Sequence, residues 1–230
     1  MSAATPRRRR GRFDDPDRTA RARIRDAAIE RFATEGIAAT NLKDIAADAG
    51  VSTPLVIHHF GSKEGLRAAC DEYVAGVIRE QKSAGMAAGK GSGGGMDPLQ
   101  AVREAYEGTP IIRYLATTVA DGSAHVDGLV DGMIEDALDY MAEGVENGIL
   151  KPAEDPRERA IILSIWQLGA LAMHRHVKRL LDIDLIDGTA GSALEWARIN
   201  TEILARGVVV EEVYDKWRDA MRAGASSKTE

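Results

Sequence analysis

From Arg18 onward, apolar residues recur at helical spacing. Ile24, Ala27, Ala28 and Phe32 follow i, i+3, i+4, i+8, and Gly36 stands where a C-terminal stop is expected, which predicts a first helix with one buried face. Asn41 is placed to cap a second helix, whose Leu42, Ile45, Ala46 and Ala49 repeat at i, i+3, i+4, i+7 before Gly50 ends it. Ser52 offers the next cap and Pro54 sits early in a third helix, where its missing N–H costs nothing, running to about residue 59. Ser62, with Glu64 in the first turn, opens a fourth helix continuing through Leu66, Tyr73 and Val77 to about residue 79. Residues 84–96 hold six glycines and read as a flexible loop. Beyond it the pattern predicts helices near 98–107, 110–120, 124–147, 156–181, 190–206 and 211–222. No stretch alternates with period two, so the expected fold is all-α: an N-terminal three-helix helix-turn-helix unit followed by a larger helical body.

The second and third helices, joined by a glycine-containing turn, have the spacing of a helix-turn-helix whose second member can enter a DNA major groove. In that geometry Thr53, Pro54 and Leu55 meet base edges, while Asn41, Lys43, His58, His59 and Lys63 lie where phosphates pass. Spacing alone leaves a second reading open, because helical bundles without any DNA role contain similar hairpins.

Charge changes the picture. The net charge of −6 divides into 13 Lys/Arg against 9 Asp/Glu in residues 1–70, or +4, and −10 for the remainder. The first 25 residues carry nine arginines and three aspartates, and a basic end on an acidic body points to a polyanion such as nucleic acid, or to a merely solvated tail. Hydrophobic residues at 44% and charged residues at 29% exclude a disordered or fibrous chain. Apolar runs such as 160–163 fall far short of the roughly 20 residues a membrane helix requires. A single cysteine, Cys70, excludes an internal disulfide and any paired-cysteine zinc site, which fits a cytoplasmic location.

The residues themselves carry a resemblance. Ala27-Ala28 and Phe32, Gly36, the string 40–46 (Thr-Asn-Leu-Lys-Asp-Ile-Ala), Gly50-Val51-Ser52 and the string 59–66 (His-Phe-Gly-Ser-Lys-Glu-Gly-Leu) resemble the DNA-binding domain of the TetR family of bacterial regulators over residues 18–66. The resemblance implies a homodimer on a near-palindromic double-stranded DNA operator, released by a small-molecule inducer. By position it puts the base-reading start of the recognition helix on Thr53, Pro54 and Leu55, helix-two contacts on Asn41, Leu42 and Lys43, and a phosphate-binding lysine on Lys63, with the cap residue Ser52 also among the expected DNA contacts. The chain departs at Ile57 and His58, where the family commonly places phosphate-binding aromatics; Ile57 reads as a buried anchor, whereas His58 keeps ring N–H donors. For His59, helix packing and a phosphate contact both stand.

In the body, Ile165, Leu168 and Ala172 mark one apolar stripe of the 156–181 helix, and Leu194, Ala197, Thr201 and Leu204 form a short seam on the 190–206 helix. These are the candidate dimer interface by likeness to the family's four-helix arrangement, although an internal core explains the same pattern. Met133, Ala137 and Met141 on the 124–147 helix, with Tyr114 and Trp166, form a candidate adaptable apolar effector pocket. The region between residues 79 and 181 offers no convergent set of charges, so the effector is expected to be small and apolar.

Other chemistry fails on spacing. His174 and His176 stand about 200° apart around a helix and cannot share one ion from one face. Asp121 and His125, four residues apart, suit a helix-start hydrogen bond better than a metal, and the glycine-rich 85–91 segment lacks the residues of a phosphate loop. Cys70 has no base at helical spacing. The expectation is therefore no catalytic residue, metal or cofactor. The domain plan is a disordered basic arm (1–17), a DNA-binding domain (18–80, helix-turn-helix about 41–60), an effector and dimerisation domain (81–223) and a short tail (224–230). The function is a dimeric transcriptional regulator, a repressor in the leading reading. An all-helical enzyme or carrier, and a sequence-nonspecific DNA-organising protein, are the alternatives.

Overall fold

The computed structural model describes residues 20–87, 110–121, 124–187 and 189–226, and all regular structure among them is α-helical. In chain order the helices are α1 (Ala20–Glu35), α2 (Leu42–Asp48), α3 (Thr53–Phe60), α4 (Lys63–Ala87), α5 (Ile111–Asp121), α6 (Ala124–Glu146), α7 (Pro156–Ala172), α8 (His174–Leu181), α9 (Ala190–Arg206) and α10 (Glu211–Ser226). The arm at 1–17 and the helix expected at 98–107 lie outside the described residues.

Ile24, Ala28, Ile29 and Phe32 of α1 are fully buried against Ile45, Val56, Leu66, Cys70 and Val74, so the spacing that predicts α1 also builds the first core. That core does not close on itself. Ile111 and Tyr114 of α5 belong to it, with the Phe32 and Tyr114 rings 6.4 Å apart and the Tyr114 hydroxyl donating to Asp71 Oδ1 at 2.6 Å. A second core joins Leu115, Leu129 and Leu168, and a third joins Ala137, Met141 and Ala160. α4 and α5 thus bind the helix-turn-helix unit to the body, α1 packing on α5 and α4 on α6. Truncating Phe32 to alanine would cost about 3–5 kcal/mol, because the site is enclosed on every side.

Three boundaries differ from the sequence pattern. α4 continues past residue 79 to Ala87 despite Gly85, because its end is capped from another element: Asn147 Nδ2 donates to the Met86 carbonyl at 2.9 Å. The expected 156–181 helix is two helices, breaking at Met173 (φ −99°, ψ 18°), where the sequence turns from apolar to His-Arg-His. α8 then ends on Asp182, whose φ of 56° is left-handed, a conformation that aspartate adopts more readily than most residues. α10 runs on to Ser226 rather than stopping near 222.

Candidate nucleic-acid interface and junction cleft

The helix-turn-helix is held by a few specific contacts. Asn41 Oδ1 accepts from the Asp44 N–H at 3.0 Å, starting α2, while its Nδ2 donates to the Asp44 carboxylate. Arg31 on α1 reaches Asp48 (Nε to Oδ2, 2.5 Å) and Glu35 (2.8 Å), fixing the far end of α2. Gly50 takes a φ of 65° in the turn, and the Val51 N–H donates to the Ala46 carbonyl at 2.9 Å. At the exit of α3, Gly61 (φ 76°, ψ −54°) lets the Ser62 N–H donate back to the Phe60 carbonyl at 2.9 Å. Ser62 Oγ then accepts from the Gly65 N–H at 3.1 Å, opening α4 as its cap spacing predicts. A Cβ on Gly65 would collide with the Phe60 carbonyl oxygen, which is why glycine stands there.

Within α3 only Val56 is buried. Ser52, Pro54 and His58 are exposed, Thr53, Leu55 and His59 half-buried. Ser52 has an N-cap backbone but makes no capping bond with its side chain. Ile57, expected as the buried anchor, is 48% exposed; Val56 takes that role, since the helix turns Ile57 away from α1 and α4. The His58 and His59 rings meet edge to face at 5.5 Å. On α2, Lys43 is exposed, whereas Leu42 packs on the first core. Lys63 Nζ donates to the Ala38 carbonyl at 3.3 Å, so it also pins the loop before α2. The Arg21 guanidinium lies 5.4 Å from the centre of the Phe60 ring, adding a cation to this end of the molecule that the pattern reading did not single out.

Of the residues expected to form an apolar pocket, Ala137 and Met141 share a core and the others lie apart from them. Tyr114 is in the first core, Met133 packs on the second, Ala137 and Met141 lie in the third, and Trp166 is 37% exposed on the outside of α7. Of the expected interface residues, Leu168 is buried within the chain, because it faces Leu115 and Leu129. Ile165, Ala172, Thr201 and Leu204 are exposed, and Leu194 and Ala197 half-buried. Asp121 ends α5 and its carboxylate lies 3.5 Å from Arg67 Nη2, an ion pair in place of the helix-start role expected for it; the His125 side chain lies outside the described residues. Cys70 is buried with its Sγ 3.7 Å from the Arg25 carbonyl, and burial pushes its thiol pKa far up, so it cannot serve as a thiolate nucleophile.

A cleft of about 760 Å³ opens where the helix-turn-helix unit meets the body. One wall is the end of α1 and the loop through Ala39; the other is α5 with the α7–α8 junction. Arg113, His174, Arg175 and His176 line it together with the carboxylates of Glu35 and Asp121, a convergence of charged side chains that the sequence pattern did not announce. Thr117 Oγ donates to the Ala33 carbonyl at 3.3 Å, spanning the two walls.

Comparison with known proteins agrees with this architecture. Residues 24–70 match the family model described as bacterial regulatory proteins of the tetR family, and residues 104–208 match the tetracyclin repressor-like C-terminal domain. The HTH-type transcriptional regulatory protein RaaS of Mycobacterium tuberculosis is 43% identical over 161 residues, covering 69% of this chain and 72% of that protein. Among solved structures, a TetR-family regulator from Rhodococcus sp. superposes with a TM-score of 0.55 at 18% identity, over 80% of this chain and 97% of that one. Reduced NemR from E. coli gives 0.56 at 16% identity, over 81% and 98%.

Proposed function

The chain belongs to the TetR family of bacterial transcriptional regulators, and from that membership we propose that it is a repressor binding an inverted-repeat operator as a homodimer and leaving it when a small effector binds. It is a DNA-binding regulator and not an enzyme. The observation that carries the reading is α3 itself: anchored through the buried Val56 and, at its end, Phe60, it leaves the opposite side and its N-terminal end open to a groove. We assign Thr53, Pro54 and Leu55 to base edges, and Lys43, Ser52, His58, His59 and Lys63 to phosphates. Asn41 positions α2 and would reach a phosphate only by loosening its cap; Leu42 contributes packing. Residues 18–80 serve DNA binding and 81–223 effector binding and dimerisation, with α4 crossing between them.

The α7 and α9 faces that carry Ile165, Ala172, Leu194, Ala197, Thr201 and Leu204 are the proposed dimer contact. A second copy would cover apolar side chains otherwise left in water. Two recognition helices would then stand one DNA turn apart, about 34–36 Å, on successive major grooves. Footprinting the purified protein on the DNA upstream of its own coding sequence tests this. The expected result is a protected inverted repeat with half-site centres about 10 base pairs apart; protection with no sequence preference would overturn it in favour of a nonspecific DNA-organising protein.

A further inference from the structure

The junction cleft carries more charge than its family resemblance or its sequence pattern announced. Two carboxylates, Glu35 and Asp121, share the lining, Glu35 within ion-pair distance of Arg31 and Asp121 of Arg67, and just outside it Asp187 is paired with Arg113 and Asp184 with Lys178. Arg175, which lines the cleft, has no ion pair among the described residues, and His174 and His176 flank it. These three lie at the first turn of α8, where the helix dipole also favours an anion. The field is felt at His174: burial and the neighbouring Arg175 lower its pKa against the pull of Asp184, with Arg113 and Lys178 lowering it further. Apolar area completes the lining, from Ile37 on the loop before α2 and Ala116, Met173 and Ile186 on the body. The volume, about 760 Å³, is that of sites holding drug-sized molecules.

We propose that this cleft binds a small organic carboxylate, its anion met by Arg175 and His176 at the first turn of α8 and its apolar part laid on the alanine and isoleucine wall. Such a ligand touches both the loop that leads into α2 and the α7–α8 junction, so its binding sets the angle between the helix-turn-helix unit and the body. This ligand differs from the purely apolar effector expected from the sequence, because Arg175 and His176 at the start of α8 line the cleft beside its apolar wall. Binding to the free protein does not depend on any operator, so it can fail or succeed independently of the repressor reading.

The test is isothermal calorimetry on the full chain with benzoate as the probe, at fixed ionic strength, beside uncharged benzyl alcohol. Benzoate should bind saturably at one site per chain, and benzyl alcohol about tenfold more weakly or worse, as expected for losing a charge-assisted hydrogen bond. Arg175→Gln, at an exposed position with no ion pair among the described residues, should weaken benzoate about tenfold, and Arg175→Lys, which keeps the charge but loses the planar fork, should weaken it less. By proton NMR, saturating benzoate should raise the His174 pKa, since an anion beside the ring favours the imidazolium. Equal binding of benzoate and benzyl alcohol, an unchanged affinity in Arg175→Gln, or an unmoved His174 titration would each overturn the proposal, as would the absence of saturable binding.

Discussion

Thr53 and Lys63 both sit in the proposed DNA surface, in surroundings suited to different tasks. Thr53 opens α3 half-exposed, where a side chain can be read against a base edge. Lys63 is a point charge tethered to the Ala38 carbonyl, able to hold a phosphate but not to distinguish bases. Lys63→Ala should therefore weaken all operator variants alike and reduce the salt slope by about one ion. Thr53→Ala should change the order of preference among variants. Binding isotherms over an operator panel at several salt concentrations check both, and identical profiles for the two substitutions would contradict the division. Removing residues 1–12, with five arginines, should act as Lys63→Ala does and more strongly.

The α3–α4 corner shows how backbone geometry, rather than side-chain contact, fixes an element. Gly61 must hold a positive φ to let the chain turn within one residue, and Gly65 must lack a Cβ for the first turn of α4 to pass the Phe60 carbonyl. Gly61→Ala should cost about 1–2 kcal/mol, the penalty of placing a side chain in the left-handed half of backbone space. Gly65→Ala should be at least as damaging, because the atom it meets is backbone and cannot swing aside. Gly128 on α6 is the contrasting case: it is exposed, and a Cβ there meets nothing within 4 Å, so Gly128→Ala should stabilise by about 0.5–1 kcal/mol through helix propensity. Thermal melting of the three variants should give two decreases and one increase in Tm.

Across the molecule, apolar surface is divided between an interior and an outer face. Leu168 is buried in the second core, whereas Ile165, three residues earlier on the same helix, is 55% exposed and Leu204 on α9 is 51% exposed. Val208, Val209 and Val210, then Tyr214, Trp217 and Met221 on α10, add to the exposed set. Ile165→Glu combined with Leu204→Glu should yield a helical monomer that has lost tight operator binding, because the charges would be buried only in the dimer. Leu168→Glu should unfold the monomer itself. Sedimentation equilibrium with circular dichroism separates the outcomes; an undiminished dimer in the double variant would remove this face from the interface.

Much of the N-terminal unit was determined by local chemistry that a sequence displays directly: the helical period from Ile24 to Phe32, the Asn41 cap, and the glycines at 50 and 61 that only a tight turn requires. Helix positions in the body were legible for the same reason, since period and caps are properties of neighbours along the chain. What the sequence could not decide was which neighbours in space each face would meet. α4 outlasts its glycine because Asn147 caps it from 61 residues away, and Ile57 turns outward because Val56 already fills the space beneath α3. Tyr114, Met133 and Met141 look alike as members of one apolar pocket, yet packing distributes them among three cores. Arg113 and Arg175 gave no joint signal either. They meet at one cleft only because the break at Met173 brings the start of α8 to the side of α5, a placement set by tertiary packing and not by any spacing along the chain.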